Sequence, residues 1–129
     1  MSEQIKETDI MIGNYITDIH SPKGFFKVTE IRKKTVLYGF DYRARYEDLC
    51  PIPLTEDILL KCGGTKKEHI TLELTKGRKL LFTTRHTKYH QVFLLHDDDM
   101  IALSMDKIYL HQLQNLFKSL TGNELEVNL

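Results

Sequence analysis

One stretch near the C-terminal end repeats its apolar residues at helical period, and almost nothing before it does. Leu110, Leu113, Leu116, Phe117 and Leu120 stand at i, i+3, i+6, i+7 and i+10, one stripe along a helix. His111, Gln112, Gln114, Asn115 and Lys118 fill the other sides. The helix is expected over 107–121, with Asp106 as N-cap and Gly122 just past its end. Most of the remaining chain reads as short strands. Strands that cluster, with helices that do not alternate between them, indicate an α+β fold.

The first strand is expected over Ile10 to Ile16, rich in β-branched and aromatic residues. Ser21-Pro22-Lys23-Gly24 reads as a turn, and Phe25 to Ile31 as the second strand. Val36, Tyr38, Phe40 and Tyr42 alternate as in one half-buried third strand. Pro51-Ile52-Pro53 should be extended, because each proline restricts the residue before it. Residues 9–52 are thus expected to form a small bent β-sheet or an SH3-like barrel.

Residues 53–129 are expected to form an α+β subdomain packed against it. Thr55 is a good N-cap for a short helix, and Glu56 and Asp57 suit its first turn. Leu54 and Leu59 occupy the positions of a hydrophobic staple, and Gly63-Gly64 ends the helix. Ile70, Leu72 and Leu74 alternate along one strand, and Leu80, Phe82 and Thr84 along its return. Strands over Tyr89 to Leu95 and Met100 to Leu103, joined by Asp97-Asp98-Asp99, complete a four-strand antiparallel sheet. The C-terminal helix should pack on that sheet, and Glu124 to Val127 should add a last short strand.

A chain of 129 residues, 41% of them hydrophobic, is long enough to bury a core. Eighteen basic and eighteen acidic residues cancel, which argues against coating nucleic acid through bulk charge. The acidic start, Met-Ser-Glu-Gln-Ile-Lys-Glu-Thr-Asp, has no apolar h-region, and no stretch has the length of a membrane span. Cys50 and Cys62 are too few for a disulfide framework and are expected to be reduced thiols in a cytoplasmic setting.

Catalytic motifs are missing. There is no Gly-x-Ser-x-Gly elbow, no Walker A loop and no Gly-x-Gly-x-x-Gly. His86, His90 and His96, near Asp97 to Asp99, lack the spacing of a zinc motif, so no metal or other cofactor is expected. Were one present, a metal-dependent hydrolase would start from these histidines. Local charge is more informative. Between Lys23 and Arg45 seven basic residues face only Glu30 and Asp41, and aromatics are interleaved. Between Lys76 and His90 there are five basic residues and no acid. Small β-barrels hold single strands by stacking bases on aromatics and pairing phosphates with cations. Arg32, Lys33, Lys34, Arg78, Lys79 and Arg85, with Phe25 and Tyr42 for stacking, are the residues such a site would use.

Three segments resemble a known family. They are Ile12-Gly13-Asn14-Tyr15, the run from Pro51 through Leu54-Thr55-Glu56-Asp57 to Lys61, and the run from Tyr109 through His111-Gln112-Leu113-Gln114-Asn115 to Leu125. Together they are similar to a family of small proteins common in Bacteroidetes-type gut bacteria and in their phages and prophages. Cys62-Gly63-Gly64 departs from that pattern, where a Gly-Phe pair is expected. The family supplies no catalytic residues to carry over. The resemblance implies a cytoplasmic or phage-associated protein. The expected function is a non-enzymatic binding or accessory protein of a phage or mobile element, working through a protein partner and without a membrane. The alternative is a nucleic-acid-binding module using segments 23–45 and 76–90, with weak affinity.

Overall fold

The computed structural model describes residues 5, 9–38, 42–67, 69–75, 77–82, 92–97, 99–103 and 109–129, with the backbone alone for 21–23. The fold is α+β: two antiparallel sheets, a short helix and a longer C-terminal helix. The chain divides into two compact units. One is Met1–Pro53 with Tyr109–Asn115, and the other is Leu54–Ile108 with Leu116–Leu129. The C-terminal helix, α2 (Leu110–Thr121), therefore gives its first turns to the first unit, whereas sequence reasoning placed all of it with the second sheet.

In the first unit, β1 (Tyr15–Asp18), β2 (Ser21–Ile31), β3 (Thr35–Tyr38), β4 (Tyr42–Arg45) and β5 (Leu49–Cys50) form a sheet of order β4-β3-β2-β1-β5. The long strand β2 pairs with β1 through Phe26 and Lys27, then with β3 through Val28 to Ile31. The sheet is a curled half-barrel, in which one part of β2 pairs with β1 and the other with β3. Ile10, Ile16, Val28, Val36, Tyr38, Ala44, Tyr46 and Leu49 fill its core, with Phe26 packed against them. Each fully buried Ile, Val or Leu contributes about 1.5–3 kcal/mol from the area it removes from water.

Three local expectations for this unit need correction. The turn lies at Ile19-His20, not at 21–24: Asp18 pairs with Ser21, and the Asp18 carboxylate accepts a hydrogen bond from the His20 amide at 3.0 Å. Pro22 and Gly24 instead fall where the β1–β2 register shifts, a bulge that needs no ladder donor from proline. The expected third strand over 36–42 is a hairpin, since Tyr38 pairs with Tyr42. Directly paired residues share a face, so Tyr38 and Tyr42 keep the alternation expected of one strand, while Phe40 lies outside the described residues. The first strand begins only at Tyr15, because Gly13, at φ 95°, and Asn14 turn the chain just before it.

In the second unit, α1 (Glu56–Lys61) forms as its sequence predicts. Thr55 Oγ1 accepts from the Ile58 amide at 3.2 Å, Glu56 and Asp57 occupy the first turn, and Leu54 and Leu59 are buried. Gly64 passes so close to the helix end that a Cβ there would lie 2.8 Å from the Leu59 carbonyl oxygen and 2.9 Å from Ile70 Cγ2. The sheet has five strands, not four. β6 (Thr65–Lys66), β7 (Ile70–Thr75), β8 (Arg78–Phe82), β9 (Val92–His96) and β10 (Asp99–Leu103) lie in the order β10-β9-β8-β7-β6. Ile70, Leu72, Leu80, Phe82 and Val92 are buried on its inner face. Residues 124–127 form no strand; the chain there is held by the Asn128 amide, which donates to the Lys61 carbonyl at 3.0 Å. Asp106, the expected N-cap of α2, lies outside the described residues.

Candidate functional site

Parts of the three segments that carry the family resemblance meet within the first unit, at the start of α2. Met11-Ile12-Gly13-Asn14 turns back on itself, its Met11 amide donating to Asn14 Oδ1 at 2.7 Å. Asn14 Nδ2 then donates to Asn115 Oδ1 at 2.8 Å, and Asn115 Nδ2 to the Asp9 carbonyl at 2.8 Å. Gln114 bridges two backbone groups: Oε1 accepts from the Tyr15 amide at 2.8 Å, and Nε2 donates to the Gly13 carbonyl at 3.0 Å. From the proline segment, the Ile52 carbonyl accepts from the Leu110 amide at 2.9 Å, and Pro53 bridges to Tyr109. Here side chains supply partners that a strand ladder would otherwise supply. Asn14 and Gln114 are buried with their hydrogen-bonding groups engaged, so this cluster is a clamp between distant segments. His111 shares the helix face of Gln114 and Asn115, and it is 3% exposed.

The residues named for nucleic acid are scattered over several places. Arg32, Lys33 and Lys34 are exposed on the β2–β3 turn, and Arg32 Nε contacts Glu30 Oε1 at 3.0 Å. Tyr42 lies at the other end of the β3–β4 hairpin, 64% exposed, and its ring stacks on Tyr38 with centroids 5.8 Å apart. Tyr38 in turn meets Phe26 at 4.6 Å, so Phe26, Tyr38 and Tyr42 make one row on the inner face. Phe25, next to Phe26 on the same strand, points to the opposite face and does not join Tyr42. Arg78 and Lys79 belong to β8 in the second unit, where Lys79 pairs with Glu73 at 3.7 Å. Arg85 lies outside the described residues.

Beneath Tyr42, the Tyr38 hydroxyl donates to the buried Asp18 Oδ2 at 2.7 Å. Burial, the hydrogen bond to Asp18 and its negative charge push the Tyr38 phenol up to about 12. Both Asp18 oxygens are committed, one to Tyr38 and one to the His20 turn, so this carboxylate is structural.

Sequence reasoning missed the free edge of the second sheet. Among the described residues β10 pairs with β9 alone, and Asp99, Met100, Ile101 and Ala102 are all exposed. Met100 is 61% exposed and Ile101 53%, on opposite faces of the strand. Proteins blunt open edges with short strands, charge or proline. β5 and β6 are two residues long, and β4 carries Arg43 and Arg45. β10 has five residues, Asp99-Met100-Ile101-Ala102-Leu103, and only its first is charged. The available signal was four apolar residues, Met100 to Leu103, with no charge among them after an acidic turn.

Among the described residues no group of three His, Cys, Asp or Glu side chains is placed to hold a metal ion, while His86 and His90 lie outside them. Cys50 and Cys62 are free thiols, and burial pushes Cys62 up to about 11, which makes it a poor nucleophile. No helix among the described residues is long and apolar enough to cross a membrane. No family model, curated protein or solved structure matches the chain.

Proposed function

We propose that this chain is a non-enzymatic accessory protein that binds a protein partner by accepting an extended segment along β10. The observation that carries the reading is the edge left unpaired among the described residues: an outermost strand with Met100 and Ile101 exposed on its two faces. Strand addition takes affinity from main-chain hydrogen bonds and specificity from alternate side chains. The fitting segment is extended and apolar at alternate positions. It carries a lysine or arginine at the end that meets the exposed Asp97 and Asp99. The link to a phage or mobile element rests on the family resemblance, and the cytoplasmic setting on that resemblance and on Cys50 and Cys62 read as reduced thiols.

Selection of random extended peptides on the immobilised protein tests the reading. Peptides of the stated pattern should be enriched, and Ile101→Lys should abolish their binding while leaving the circular dichroism spectrum unchanged. Peptides that bind the lysine variant equally well would rule out the edge.

Nucleic-acid binding is the second reading. One observation favours it: Tyr42 is an exposed ring already stacked on Tyr38, a platform on which a base can lie.

A further inference from the structure

The clamp at the start of α2 contains one group that none of its hydrogen bonds uses. His111 is buried on the clamp face, and among the described residues its Nδ1 has no hydrogen-bond partner. Its ring stacks against Tyr109 with centroids 6.2 Å apart. Around it Gln114 and Asn115 carry four of the hydrogen-bonding groups that hold segment 9–15. Buried polar atoms are nearly always paired, so a lone ring nitrogen in the middle of a paired network calls for an explanation.

We infer that His111 makes the clamp acid-labile, protonation of its ring releasing segment 9–15 from α2. A neutral imidazole leaves one nitrogen as a bare acceptor, which costs little more than a lost hydrogen bond when buried. A proton on Nδ1 turns it into a charged donor with nothing to receive it, a far more costly state. The first turn of α2 adds to that cost, because the helix dipole is positive there and no acidic residue occupies the turn. The charged group facing the ring from the segment packed against it is Asp9, whose carboxylate favours the proton. Asn14, Gln114, Asn115 and Tyr109 carry no charge at neutral pH. Desolvation outweighs Asp9, and the imidazole is held below its ordinary value. The clamp is therefore intact above the unfolded-state value of about 6.5 and weakens as pH falls from there toward the folded-state value.

The test is NMR on the whole chain, with two readouts: the ring titration of His111 and the exchange protection of the Tyr15 amide, which Gln114 holds. The ring should titrate below 6.5. Tyr15 protection should fall about tenfold for each pH unit by which that midpoint is lowered. His111→Gln and His111→Phe, which do not titrate, should lose this fall. A wild-type midpoint at or above 6.5 overturns the proposal, and so does an equal fall in either folded variant. If neither variant folds, the wild-type titration decides alone. This outcome is independent of whether β10 binds a partner.

Discussion

Replacing Gln114 by alanine removes two hydrogen bonds at once and leaves their backbone partners behind. The Tyr15 amide and the Gly13 carbonyl both depend on this side chain, at 2.8 and 3.0 Å. A buried backbone group left without a partner costs about 1–3 kcal/mol. Two such groups, with some relief from water entering the space, give a loss of about 2–4 kcal/mol. Urea unfolding followed by near-ultraviolet circular dichroism reads the change, because Tyr15, Tyr38, Tyr42 and Tyr46 all lie in the first unit. Gln114→Glu sharpens the result. It keeps an acceptor for Tyr15 but sets an oxygen against the Gly13 carbonyl, so it should regain stability as acid protonates it. Ser119→Ala, at an exposed helix position, should stay within about 0.5 kcal/mol of wild type. A Gln114→Ala protein as stable as the Ser119 variant would refute the clamp.

Leu113 is fully buried, so Leu113→Ala should cost about 2–5 kcal/mol, and half-buried Leu116→Ala clearly less; thermal melts rank the two. In the native protein Cys50 should react with a thiol reagent well before the buried Cys62, and both should react after unfolding without prior reduction, as mass spectrometry will show. The Tyr38 phenol is raised in the folded state, so the stability it contributes is complete below pH 10 and lost as pH rises toward 12. Tyr38→Phe should flatten that alkaline loss in unfolding curves taken between those values. If single-stranded nucleic acid binds, neutralising Lys33 and Lys34 should flatten the slope of log affinity against log salt by about 1.4. Tyr42→Ala should weaken binding by about 1–3 kcal/mol without changing that slope, and no shift at low salt would end this reading.

Patterns of local origin were legible in the sequence. The cap of α1 rests on Thr55 and its two acidic neighbours, and the stripe of α2 rests on spacing, so both were readable. The hairpin at Tyr38–Tyr42 was not, because period-2 alternation is the same along one strand and across a tight pair. Pro22 and Gly24 were read as part of a turn but fall in a bulge, because a bulge and a turn use the same residues. Gln114 and Asn115 looked like ordinary polar positions on an exposed helix face. Their partners lie about a hundred positions away, and no local rule carries such a pairing. The same holds for β10: its residues read as a strand, but only the sheet order makes that strand an edge.

Hydrogen exchange on the complex with a selected peptide tests the binding account most directly. Among the described residues the outward-pointing amides of β10 have no ladder partner, and in the free protein they should exchange fast. With the peptide bound, protection should appear in Asp99–Leu103 and leave β4 (Tyr42–Arg45) unchanged. Protection that appears around Tyr42 and the β2–β3 turn, with β10 still exchanging freely, would contradict it.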